Sequence, residues 1–87
     1  MMALYFFSSD CRSIDQSQKA MVEAFVRSDS QTQAEAQLKA QLREKKQVVR
    51  EIHYCESVDD VPIHDVRLYR LSEVARECGF ACLISPY

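Results

Sequence analysis

Two histidines and four cysteines are the residues of this chain best suited to metal or nucleophile chemistry. His53 and Cys55 stand two apart in a stretch rich in β-branched and aromatic residues, and on a strand positions i and i+2 share a face. With His64, Cys78 and Cys82 further along, they make a donor set that tetrahedral zinc accepts. The spacings argue against a zinc site. There is no CxxC pair, and Cys78 to Cys82 runs from a helix end into an apolar segment. The set reads as two buried thiols and two surface histidines, with no metal and no cofactor.

A catalytic cysteine needs a histidine or a helix N-terminus to lower its pKa. Cys78 falls at the C-terminal end of a helical stripe, where the dipole opposes a thiolate. Cys11 lies in a polar stretch beside Asp10 and is no better supplied. His64 and Asp65 resemble a base and its orienting carboxylate only in being adjacent. No catalytic residue emerges, and the chain is not expected to be an enzyme. A phosphate-cradling loop needs several glycines, and Gly79 stands alone.

Charge is unevenly spread. Lys39, Arg43, Lys45, Lys46 and Arg50 follow one another around the end of a helical segment, as a phosphate-contacting patch would. They lack interleaved aromatics, and the net charge is −2, so binding to nucleic acid is the secondary expectation. Glu56, Asp59, Asp60 and Asp65 crowd the segment that follows. Both runs read most simply as solvated surface.

The elements that must position these residues are mostly legible. Met2 to Ser8 reads as a strand, and the polar Ser8 to Gln18 as a connection. Residues 19–28 suit a helix or a strand. The strand is preferred, because a second start signal follows at once: Asp29, Ser30 and Thr32, with Gln33 three after Ser30. From 31 to 46 there is no glycine or proline, and Ala34, Leu38 and Leu42 form a narrow apolar stripe. Val48 to Tyr54 favours a strand. Residues 56–65, with Pro62, read as a loop. Asp65 can cap a helix whose stripe is Leu68, Leu71, Ala75 and Cys78, with Val74 beside them. Gly79 then stands where a left-handed residue closes a helix. Ala81 to Ile84 completes the series as a short strand.

The expected fold is a small two-layer α+β sandwich in the order β-β-α-β-α-β, one domain over residues 1–87. Its mainly antiparallel sheet of about four strands carries both helices on one face. That arrangement leaves a question. Leu4 and Phe6 point one way and Tyr5 and Phe7 the other, so the first strand is apolar on both sides. A sheet covered on one side normally alternates apolar with polar. The pattern reads either as a central strand with scattered surface aromatics or, the preferred reading, as a second face covered by another copy or a protein partner, with Leu4, Phe6, Tyr5 and Phe7 as the contact residues.

Eighty-seven residues with 47% apolar and 28% charged content exclude a disordered tail and a strongly basic nucleic-acid binder. The longest apolar run, Met1 to Phe7, is far short of a membrane span and lacks the flanks of a signal peptide. Cysteines in apolar patterns without a secretion signal point to reduced thiols and a cytoplasmic setting. The expected function is a non-catalytic, bacterial-type interaction or regulatory module that forms a homodimer or binds a protein partner. The alternative is a small nucleic-acid-binding or nuclease-like domain using the basic end of helix 31–46.

Overall fold

Alternation of side chains along an eleven-residue strand sets the architecture. In the computed structural model, which describes residues 2–58 and 64–87, β1 (Ala3–Ser13) pairs antiparallel with β2 (Lys19–Ser28) on one side and β3 (Gln47–Val58) on the other. β4 (Phe80–Pro86) adds antiparallel to β2, so the sheet order is β3-β1-β2-β4. Helix α1 (Gln31–Glu44) joins β2 to β3, and α2 (Val66–Cys78) precedes β4. The α+β class and the β-β-α-β-α-β order stand as read from the sequence, and residues 19–28 are a strand.

Both helices start and stop where local chemistry dictates. The Ser30 side chain accepts from the Gln33 amide at 3.2 Å, and the Asp65 carboxylate accepts from the Leu68 amide at 3.2 Å. Gly79 closes α2 in the left-handed region at φ 92°, its amide donating to the Ala75 carbonyl at 2.8 Å.

Several expectations are corrected. The first strand does not stop at Ser8 but runs to Ser13, and the connection shrinks to residues 14–18. Ser9 and Cys11 are buried while Ser8, Asp10 and Arg12 are not, so the polar stretch is an alternating strand. At the turn, the Asp15 carboxylate accepts from the hydroxyls of Ser13 and Ser17, both at 2.6 Å, and from the Ser17 amide at 3.0 Å.

The second correction concerns layers. The helices lie on opposite faces of the sheet, making three layers instead of two. α1 buries Ala34, Leu38 and Leu42 against Phe7, Cys11, Val22, Ala24 and Val26, with Tyr5 at the margin. α2 packs Leu68, Leu71 and Ala75 against Leu4, Phe6, Phe25 and Ala81. The register explains this. Tyr5 and Phe7 sit opposite Val26 and Ala24, whereas Phe6 sits opposite Phe25. Each face of β1 and β2 is therefore apolar and takes its own helix. The cover for the second face is α2, so the two-sided pattern does not require another subunit. The expected α2 stripe also shifts: Ser72 and Ala75 are buried, while Val74 and Cys78 are exposed.

Candidate functional site

The half of the α2-side sheet face remote from α2 carries the polar residues. Its wall is shaped by two irregularities in the β1–β3 ladder, between Ser8 and Ser9 and between Asp10 and Cys11. Opposite those steps the β3 partners jump from Tyr54 to Ile52 and from Glu51 to Val49, leaving His53 and Arg50 as extra residues. The consequence is a spacing of three: Val49, Ile52 and Cys55 all pack on the α1 side. His53 turns to the other side, where its Nε2 lies 3.1 Å from Asp10 Oδ2. His53 and Cys55, expected to share a face, are thus separated by the bulge between them.

Asp10 is the centre of this cluster. The Tyr87 hydroxyl donates to its Oδ1 while His53 approaches Oδ2. The Tyr87 bond first, and His53 second, hold the Asp10 carboxyl below its ordinary range; the same bond raises the Tyr87 phenol. The Tyr87 amide donates to the Lys19 carbonyl at 3.1 Å, which fixes the residue beside β2. Glu51 completes the group: one ligand atom each from Asp10, Glu51 and His53 lie within 4.8 Å of one another. Asp10, Glu51 and Tyr87, with Arg12, Lys19 and Arg50, line an open recess of about 300 Å³. Two carboxylates and an imidazole there can hold a proton or a cation.

The residues singled out from the sequence fall elsewhere. Leu4 and Phe7 are buried and Tyr5 and Phe6 half-buried, divided between the two cores. Phe6 stacks at a tilt on Phe25, with ring centroids 5.0 Å apart. The basic residues do not form one strip. Lys39 pairs with Glu35 at 3.3 Å and shares a shallow recess with Arg43. Lys46 borders the β1–β2 turn, and Arg50 lines the Asp10 recess. Asp65 caps α2 through its own carboxylate, and His64 beside it is exposed. Of the expected loop over 56–65, residues 56–58 instead continue β3, and residues 59–63 lie outside the described residues.

The cysteines do not converge on a common site. Cys11, Cys55 and Cys82 face α1, and burial pushes each thiol up. Cys78 is exposed at the end of α2. Sequence reasoning missed Asp10, Glu51 and Tyr87, which lie far apart in the chain. The only trace was the run Arg50-Glu51-Ile52-His53, too polar for simple alternation.

Among the described residues no helix is long and apolar enough to cross a membrane. Comparison with known proteins finds no matching family model, no matching curated protein and no matching solved structure.

Proposed function

We propose that this chain is a small non-catalytic interaction or regulatory module that self-associates, two copies meeting antiparallel along the outward face of α2. One observation carries the proposal: that face exposes Val66 and Val74 and places Arg70 in its first half and Glu73 and Glu77 in its second. Val66 and Val74 are 53% and 49% exposed and border an open groove with Leu71, Arg67 and Arg70. The basic pair lies in the first half of the helix, and the exposed Glu73 and Glu77 lie in the second. A two-fold axis near the helix centre brings Arg70 of one copy toward Glu77 of the other, with Val74 beside them, while Arg67 keeps its pair with Glu23 of its own chain at 3.3 Å.

This surface replaces the one expected from the sequence, because Leu4, Phe6, Tyr5 and Phe7 are used in the two cores. A single helix face buries less than the ~800 Å² per partner of a standard interface, so the dimer belongs to the weak, micromolar class. Four free thiols, one of them exposed, fit a reducing, cytoplasmic setting.

Light scattering on a sizing column, run from micromolar to submillimolar protein, tests the proposal. The expected result is a mass rising from one copy toward two. Val74→Glu should remain folded by circular dichroism and stay monomeric. Arg70→Glu should weaken the dimer, and Arg70→Glu combined with Glu77→Arg should restore it. A monomer throughout would overturn self-association. A dimer indifferent to Val74→Glu would overturn the α2 surface.

A further inference from the structure

Asp10, Glu51 and His53 bring three metal-ligating atoms within 4.8 Å of one another. We propose that Asp10, Glu51 and His53 form a binding site for a borderline divalent transition ion, with zinc as the first choice. The donor set is one imidazole nitrogen and two carboxylates, a combination suited to zinc and its neighbours.

Distances support the assignment. Bonds of about 2.0–2.1 Å place adjacent ligand atoms about 2.9 Å apart in an octahedron and about 3.4 Å apart in a tetrahedron. His53 Nε2 and Asp10 Oδ2 are 3.1 Å apart, between those values. The pair that now shares a proton is therefore spaced as two neighbours of a metal shell. Binding puts the ion between Nε2 and Oδ2, and the Nε2 proton of a neutral imidazole moves to Nδ1, so the ring stays neutral and its other nitrogen becomes the donor. Glu51 Oε lies within 4.8 Å of the other two donors, and Glu51 is exposed, so a change of rotamer brings it onto the ion.

Position and support also fit. The donors come from neighbouring strands, β1 and β3, and β3 is bulged where His53 leaves the ladder. Tyr87 donates to the Asp10 oxygen that His53 does not use, the kind of outer contact that orients a metal-binding carboxylate. Three protein ligands leave a fourth position for water or a further ligand, the pattern of an open site and not of a closed structural one. Arg12, Lys19 and Arg50 line the same recess and oppose a cation. Charge compensation thus rests on both carboxylates, and loss of either one should abolish binding.

The test uses the full chain carrying Cys78→Ser, which removes the exposed competing thiol. After treatment with a chelator, zinc is titrated calorimetrically and cobalt(II) by absorbance. The expected outcome is one ion per chain and a cobalt spectrum without a thiolate-to-metal band. Asp10→Asn and His53→Gln should abolish saturable binding while circular dichroism remains unchanged, and Tyr87→Phe should weaken it about tenfold. His64→Gln should bind like the parent. Absence of saturable binding, a thiolate band, or full affinity in His53→Gln would each overturn the site. So would loss of binding in His64→Gln. The dimer proposal is read separately, by mass, and does not depend on this result.

Discussion

His53 Nε2 lies 3.1 Å from a carboxylate oxygen of Asp10, across the β1–β3 ladder. It does so because His53 is the extra residue of a bulge and has no direct partner in the register. Had the ladder been regular, alternation would have placed His53 with Cys55 on the α1 side. One inserted residue thus moved an imidazole from the core side of the sheet to the exposed side, beside Asp10.

The double-sided core predicts the outcome of paired glutamate substitutions in β1. Leu4→Glu with Phe6→Glu, and Tyr5→Glu with Phe7→Glu, should both unfold the chain. Each pair places charge in a packed cluster, Leu4 being 4% and Phe7 1% exposed. Circular dichroism is the measurement. A folded monomer from either pair would contradict the three-layer packing.

Truncation under α1 should be costly. Leu38 is fully buried among Phe7, Val22 and Ala24. Leu38→Ala should destabilise by about 2–5 kcal/mol, enough to unfold much of a domain this small. Urea denaturation checks this, with Gln37→Ala on the exposed side of the helix as the control that leaves the midpoint nearly unchanged.

At Gly79 only backbone conformation is at stake. A Cβ there meets nothing within 4 Å, but φ is 92°. Gly79→Val should cost about 1–2 kcal/mol, and Gly79→Asn less, because asparagine tolerates the left-handed region better. Equal denaturation midpoints for the two variants would show that the helix closes without that conformation.

The β1–β2 turn should make stability depend on acid pH. Hydrogen bonds from the Ser13 and Ser17 hydroxyls, then from the Ser17 amide, hold the Asp15 carboxyl down to about 2. A carboxyl whose pKa is lower in the folded chain stabilises it above the unfolded pKa. That contribution fades as pH falls through the folded value. Asp15→Asn should therefore lower the denaturation midpoint at pH 7, and the difference should close between pH 4 and about 2. A difference independent of pH would mean that the charge is irrelevant.

Thiol labelling of the native protein should separate the cysteines. Cys78 is exposed, Cys11 is buried, and burial raises the thiols of Cys11, Cys55 and Cys82. One thiol should react rapidly with an aromatic disulfide at pH 8, and all four after denaturation. Cys78→Ser should remove the rapid phase.

Local chemistry settled much of this protein in the sequence itself. Ser30 with Gln33, Asp65 and Gly79 marked helix ends, because caps and left-handed closures depend on residues within a turn of one another. The apolar period of 31–46 and the apolar residues on both sides of β1 were equally plain. Tertiary structure decided the rest. Neither the strand order β3-β1-β2-β4 nor the choice of face for each helix is encoded in a local pattern. That Ser8 to Ser13 is a strand depends on partners on both sides. Asp10, Glu51, His53 and Tyr87 meet only because two bulges shift β3 against β1 and a backbone bond from Tyr87 to Lys19 holds the chain at β2. Periodicity reports the face of a regular strand, but a bulge changes that face at a point that only pairing with a neighbour fixes.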